Sequence, residues 1–158
     1  MDIRVGIGQD SHKFEVGKKC VLGGVEIPDC EGFSANSDGD VVIHAICIAI
    51  EQALGNTSFS IYSDDMCKKG ITDSKEYLKV AKKHLKDKGY RINNIGISIE
   101  AKKPKILPIE DAMKDMLSLI LDINKDKVGI SATTGEGLTS FGRGLGVQVF
   151  VIVSIINI

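Results

Sequence analysis

Apolar and polar positions alternate from the start of the chain: Ile3, Val5 and Ile7 stand against Arg4, Gly6 and Gly8. A period of two predicts a strand over Met1 to Gly8 with its apolar face turned to the core. The same register carries Asp10 and His12 onto the Arg4 face, away from the apolar one. Val21 to Ile27, broken by Gly23 and Gly24 and stopped by Pro28, reads as a hairpin or an irregular strand. Ser37-Asp38-Gly39-Asp40 supplies N-cap residues just before the apolar and small-residue run Val41 to Leu54, which Gly55 ends, so a mostly buried helix is expected there. Asn56 to Gly70 has no clear period and reads as a long loop. Thr72-Asp73-Ser74 caps a second helix that places Tyr77, Leu78, Ala81 and Leu85 on one face and lysines on the other, and Gly89 stops it. Asn94 to Ala101 alternates as a strand, and Pro104 and Pro108 bracket a turn. Ile109 to Ile123 has helical spacing through Ala112, Met113, Met116, Leu117 and Ile120, and Lys127 to Ala132 and Gly146 to Ile156 are the last strands. Strands interleaved with helices through short connections predict an α/β or α+β sandwich, a mixed β-sheet covered by helices.

Length changes this picture little, since 158 residues fit a single domain over 1–158 with a core of its own. Charge excludes more. Twenty basic against twenty-one acidic residues leave a net charge of -1, so no global field draws the chain to nucleic acid or to an anionic membrane, and any anion site is local. The longest apolar run, Val147 to Ile156, is too short to span a membrane as a helix and is rich in β-branched residues, as a buried strand would be. Cys20, Cys30, Cys47 and Cys67 form no CxxC pair, and the first residues lack the apolar stretch of a signal peptide, so cytoplasmic thiols are expected.

Chemistry concentrates in few places. Asp10 and His12 leave the same face of one strand, and His44 on the first helix would complete a set of two imidazoles and a carboxylate around a divalent ion, with one position left open for water or substrate. The plain alternative is a hydrogen-bonded turn beside a satisfied core histidine. Asp40, one turn before His44, either orients the imidazole or caps the helix, and the cap is the simpler role. The N-terminus of that helix offers free N–H groups and a positive dipole end to a phosphate. Thr133-Thr134-Gly135-Glu136 follows a strand and supplies two hydroxyls and a carboxylate, able to hold phosphate oxygens and a hard cation, although such runs are usually turns. Gly142-Arg143-Gly144-Leu145-Gly146 precedes a strand and has no lysine and serine pair, so it is no nucleotide fingerprint, but Arg143 can meet an anion. His84 lies on a lysine-rich face and reads as a solvated surface residue.

Taken in order, Gly8-Gln9-Asp10-Ser11-His12, Gly23-Gly24-Val25-Glu26-Ile27-Pro28 and Ser37-Asp38-Gly39-Asp40-Val41 with His44-Ala45 resemble the 2-C-methyl-D-erythritol 2,4-cyclodiphosphate synthase family. The resemblance resumes at Thr72-Asp73-Ser74, at Pro104-Lys105-Ile106-Leu107-Pro108, at Ala132-Thr133-Thr134 with Glu136 and at Gly142-Arg143-Gly144. It implies a lyase of non-mevalonate isoprenoid precursor biosynthesis, a homotrimer with active sites between subunits. In that reaction the 2-phosphate of 4-diphosphocytidyl-2-C-methyl-D-erythritol 2-phosphate attacks the β-phosphorus and expels CMP. By the same resemblance Asp10, His12 and His44 hold Zn²⁺, and Glu136 holds a second divalent cation, Mg²⁺ or Mn²⁺. Thr134 polarises the phosphate, while Ala101, Lys105, Ile106, Leu107, Thr133 and Thr134 form the cytidine pocket of the adjoining subunit.

The departures from the family pattern are local. Asn36 stands where the family has a histidine, so beside Ser37 a donor is kept and a charge lost. Gly55-Asn56-Thr57-Ser58 replaces the segment whose Asp and second Gly meet the ribose, and Ile61-Tyr62-Ser63-Asp64-Asp65 replaces the covering loop, so the contacts expected of Asn56, Ser58, Asp64 and Asp65 rest on altered residues. Leu145 replaces a common Glu and Ile48 a common Asp. Two other readings stay open beside the synthase: a non-catalytic or weakly active relative that binds metal and nucleotide, and a zinc-dependent phosphoester hydrolase of different substrate.

Overall fold

The computed structural model describes residues 1–158. Nine elements follow one another: β1 (Ile3–Leu22), β2 (Val25–Phe33), α1 (Val41–Ala53), α2 (Ser60–Lys68), α3 (Ser74–Asp87), β3 (Tyr90–Glu100), α4 (Glu110–Leu121), β4 (Val128–Thr133) and β5 (Gly146–Asn157). The five strands form one sheet in the order β2-β1-β5-β3-β4. Only β3 and β4 run parallel; the other neighbours are antiparallel. The expected mixed sheet with helices is therefore present. β1 is far longer than the predicted 1–8: residues 3–13 pair with β5, and Phe14 to Leu22 turn away to pair with β2. β2 runs through Pro28, which was expected to stop it, because β2 is an edge strand where a missing N–H breaks no ladder.

α1 lies on β1 and β5, α3 packs on α1, and α4 packs on α3 and β4. The core fills the space beneath these helices: Val147, Val149, Val151, Val153 and Ile155 of β5 face Ile43, Ile46 and Ile50 of α1, all fully buried. The strand parity of β1 is as predicted, but its faces are reversed. Ile3, Val5 and Ile7 are 56%, 63% and 50% exposed, and the inner face is the one carrying Gly6, Gly8, Asp10 and His12. The reason is steric. A Cβ on Gly6 would lie 2.0 Å from the Ala49 carbonyl oxygen, and one on Gly8 1.9 Å from that of Ala45. Glycine on the strand and alanine on the helix let the two backbones touch, and this close approach carries His44, next to Ala45, against Asp10 and His12.

A second correction concerns residues 56–70, which are not one long loop. Phe59, Tyr62 and Met66 pack partly buried against the core, and their spacing winds Ser60–Lys68 into α2. No helix is long and apolar enough to cross a membrane.

Candidate active site

Asp10 and His12, two apart on β1, meet His44 from the first turn of α1. Asp10 Oδ2 lies 3.1 Å from His44 Nδ1 and 3.2 Å from His12 Nε2, and the two ring nitrogens are 3.3 Å apart. Ligand atoms at the corners of a tetrahedron around zinc, with bonds near 2.1 Å, stand about 3.4 Å from one another. The triangle thus has the edge lengths and the nitrogen and oxygen donors of a zinc site with three protein ligands, and the set fits the ion. Burial alone would raise the Asp10 carboxyl, but hydrogen bonds and charge from His12 and His44 outweigh it and bring the pKa down to about 2. A carboxylate held ionised is what a cation requires.

The triad opens into a cleft of about 770 Å³ that also takes in Asn36, Ser37, Phe59, Ser63 and Asp64. The floor is aromatic: the Phe59 and Tyr77 rings sit 5.2 Å and 6.2 Å from the His44 ring. Asp64 comes from α2, so the segment expected to be a loop supplies one wall of the cleft as a helix.

Asp40 does not orient His44. Fully buried, it accepts the amide of Ile43 as the cap of α1 and the amides of Gly23 and Gly24 from the β1–β2 turn. Burial pushes its carboxyl up to about 6, the charge of Asp38 adds to this, and the three amides oppose it. Asp40 thus takes one of the free amides of the α1 N-terminus, in the capping role that was the simpler reading.

Other residues singled out from the sequence lie outside the cleft. Ala101 and Ile106 are buried, and Lys105, Leu107, Thr133, Thr134, Glu136 and Arg143 are exposed around the C-terminal ends of β3 and β4. The Ala101 amide donates to the Thr133 carbonyl at 2.9 Å, tying the two strand ends together. Thr134 Oγ1 accepts the Glu136 amide at 3.3 Å, and Glu136 itself sits at φ 48, a left-handed conformation unusual for this residue, between two positive-φ glycines. Its carboxylate is exposed and makes no ion pair, which suits Mg²⁺, an ion commonly held by one or two carboxylates together with phosphate oxygens. Asn56 turns away from the triad, donating to Glu51 Oε2 at 2.7 Å and accepting from Lys88 Nζ at 2.6 Å. Ser58 and Asp65 are exposed and line no part of the cleft.

Sequence reasoning missed three things here. His84 is not a free surface residue: its Nδ1 contacts Glu51 Oε1 at 2.8 Å. Phe59 went unnoticed because α2 did, and Ser63 was placed only in an altered covering loop, although the Phe59, Tyr62 and Met66 spacing was a usable signal. Ser74 was read only as a helix start, yet its hydroxyl touches the second ring nitrogen of His44 at 2.8 Å.

Comparison with known proteins agrees with the fold. Residues 3–156 match the model of the YgbB family. The chain is 47% identical over 158 residues to the 2-C-methyl-D-erythritol 2,4-cyclodiphosphate synthase of Chlamydia muridarum, covering 98% of this chain and 88% of that one. With the synthase of Chlamydia felis the identity is 45%, over 98% of this chain and 89% of that one. Among solved structures, the bifunctional IspDF of Campylobacter jejuni matches with a TM-score of 0.93 at 32% identity over 99% of this chain, which spans 43% of that longer protein. IspF of Plasmodium falciparum in complex with CDP matches with a TM-score of 0.87 at 29% identity, over 98% of this chain and 96% of that one. Matched over nearly its whole length in sequence and in backbone, the chain belongs to the YgbB family, that of the 2-C-methyl-D-erythritol 2,4-cyclodiphosphate synthases.

Proposed function

We propose that this chain closes 4-diphosphocytidyl-2-C-methyl-D-erythritol 2-phosphate into 2-C-methyl-D-erythritol 2,4-cyclodiphosphate with release of CMP, a phosphorus–oxygen lyase step of non-mevalonate isoprenoid precursor synthesis. One observation carries the reading: Asp10, His12 and His44 converge with zinc-like spacing at the head of a cleft, in a chain 47% identical to a synthase of that name. A divalent ion at that triad, which we read as Zn²⁺, and a second at Glu136, Mg²⁺ or Mn²⁺, would supply charge stabilisation to the diphosphate.

The remaining work falls to position. The nucleophile is a phosphate already carrying nearly two negative charges at neutral pH, and the leaving group is another phosphate, so neither needs a protein base or acid. Asn36 and Ser37 at the cleft rim offer an amide and a hydroxyl to phosphate oxygens. The histidine missing at position 36 therefore takes away charge but no required proton transfer. Ring closure within one molecule gains chiefly from holding its two ends together, and the cleft wall built by Phe59, Ser63 and Asp64 encloses them.

We assign the cytidine to Ala101, Lys105, Ile106, Leu107, Thr133 and Thr134, and a phosphate contact to Arg143. In the sheet β5 lies between β1, which carries the metal ligands, and β3, whose end begins this group. None of this group lines the cleft beside the triad, so the two halves of the site suit different subunits, and we infer a homotrimer in which the group on one chain faces the triad on the next. The exposed face of Ile3, Val5, Ile7, Phe150 and Ile152 is the surface such packing would cover. Four free cysteines suit a reducing compartment, and we place the reaction in the cytoplasm.

Incubating the substrate with protein and Mg²⁺ should release CMP and cyclic product in equal amounts. If neither exceeds a His44→Ala control, the assignment fails. Release of AMP or UMP from other nucleotide-linked diphosphates as readily as CMP would favour a phosphoester hydrolase instead.

A further inference from the structure

The two imidazoles of the triad are held by different means. His12 turns Nε2 to Asp10 and His44 and packs its ring 6.3 Å from that of Phe33. No hydrogen bond reaches its other nitrogen. His44 turns Nδ1 to Asp10 and His12, and its Nε2 lies 2.8 Å from Ser74 Oγ and 3.4 Å from Ser37 Oγ. Ser74 is fully buried. Its hydroxyl donates to Asp38 Oδ1, while its backbone amide donates to Asp38 Oδ2 at 3.0 Å. Asp38 Oδ1 also accepts the Asp40 amide at 3.0 Å.

Donor counting settles the direction of this chain. A carboxylate only accepts, and a serine hydroxyl has a single proton to give. With that proton committed to Asp38, Ser74 can offer His44 only lone pairs, so His44 Nε2 must be the nitrogen that bears hydrogen. Nδ1, which faces Asp10 and His12, can then give a hydrogen to Asp10 Oδ2 at 3.1 Å in the metal-free chain, and a divalent ion held by Asp10 would take that hydrogen's place.

We propose that Asp38 and Ser74 are positioning residues that hold hydrogen on His44 Nε2 and so present Nδ1 to the divalent ion. The relay crosses three parts of the chain. Asp38 stands in the segment before α1, His44 is on α1, and Ser74 is the first residue of α3, so the docking of α3 sets the aim of a ligand on α1. Outer partners of this kind typically change metal affinity by about 10- to 100-fold when removed. The inference rests on the metal-binding reading above but is open to a test that does not need it.

That test is the ring ¹⁵N spectrum of His44 in metal-free protein. Wild type should show hydrogen on Nε2, alone or together with a second on Nδ1 toward Asp10. Asp38→Asn should lose the Nε2 hydrogen, because the amide can donate to Ser74 Oγ, turning the serine proton toward His44 Nε2 and leaving the ring's one hydrogen on Nδ1. A wild-type ring with Nε2 bare overturns the relay. So does an unchanged ring in folded Asp38→Asn, since a residue with a merely structural role would lower the melting temperature and leave the ring as it was.

Zinc competition against a chromophoric chelator reads the consequence. Ser74→Ala and Asp38→Asn should each bind zinc about 10- to 100-fold more weakly than wild type, and equal affinity in variants with wild-type circular dichroism overturns the proposal. Should Ser74→Ala fail to fold, Asp38→Asn supplies the same comparison. A wild-type chain that takes up no zinc defeats the metal reading, while the ring spectrum still decides the relay.

Discussion

The two sides of the sheet reverse the usual allocation of residue sizes. Under the helices, β1 shows Gly6 and Gly8 to α1, whereas the side without helices shows Ile3, Val5, Ile7, Phe150 and Ile152. On the covered side the governing quantity is distance. Backbone touches backbone, no side chain fits between Gly8 and Ala45, and the gain is the position of His44. The open side follows area, because several large apolar groups collect where another surface can remove them from water. Hydrophobicity thus marks the open surface, the one the proposed trimer would cover, and its absence marks the closest contact inside the chain.

Gly8→Val breaks the comparison most severely. The new side chain begins 1.9 Å from the Ala45 carbonyl oxygen, a backbone atom that cannot step aside without moving α1. The chain should lose more than about 4 kcal/mol or fail to fold, beyond the range of ordinary core overpacking. Urea unfolding measures this, with Ile7→Ala as the control of opposite type. If both substitutions cost the isolated subunit the same, the contrast between the faces is wrong.

Phe150→Glu attacks the other side. A charge at the centre of the apolar face should leave the subunit folded and abolish the proposed trimer, so sedimentation should report a monomer with wild-type circular dichroism. CMP release should fall to the His44→Ala background, since the proposed site draws on two subunits. A folded monomer that still turns over would overturn the shared site.

Why one face was legible from sequence and the other was not follows from the same contrast. Parity along β1 is encoded by alternation, so the common face of Asp10 and His12 could be read directly. Which face lies inward is not encoded there. It depends on the alanines of α1, forty residues or so along the chain, and a glycine carries no signal of burial. His44 was legible because it interrupts an apolar run, and Asp40 because N-caps have a chemical signature. The seal that Asp40 makes with Gly23 and Gly24 depends on tertiary contact and was invisible. α2 was lost because its apolar residues are few and Ser, Asp and Lys surround them. The cytidine group and the triad could be matched by resemblance, but one chain's sequence cannot show that they sit apart.

The pH dependence of Asp40 is a smaller effect, again on the covered side. Its folded pKa of about 6 lies above the ordinary 3.8, so between those values the folded chain binds more protons than the unfolded one. The stabilisation is therefore complete below the unfolded value and is lost as pH rises through the folded value. Over about two pH units this amounts to roughly 3 kcal/mol. Urea unfolding between those pH limits should show wild-type stability falling as pH rises, with the slope reduced in Asp40→Asn. A wild-type slope of the opposite sign that disappears in Asp40→Asn would show that the three amides, and not burial, govern this carboxyl.

The smallest effect separates a redundantly held polar group from a singly held one. Glu51, almost fully buried at the far end of α1, receives Tyr62 Oη at 3.1 Å and His84 Nδ1 at 2.8 Å on one oxygen and Asn56 Nδ2 at 2.7 Å on the other. Tyr62→Phe removes one of three partners and leaves both oxygens occupied. Its cost should be near 1 kcal/mol, that of an ordinary hydrogen bond, and not the larger penalty of a stranded buried charge. Urea unfolding gives the number, and zinc affinity should not change, because Tyr62 reaches the triad only through Phe59. A loss above about 3 kcal/mol would mean that His84 and Asn56 cannot satisfy the carboxylate alone. The opposite arrangement holds at His44, where Ser74 Oγ is the near acceptor at 2.8 Å and Ser37 Oγ stands off at 3.4 Å, so removing the near contact should leave stability nearly intact while ligand aim fails. The two ends of α1 would then differ in what a lost hydrogen bond costs: a fraction of fold stability at Glu51, and the metal at His44.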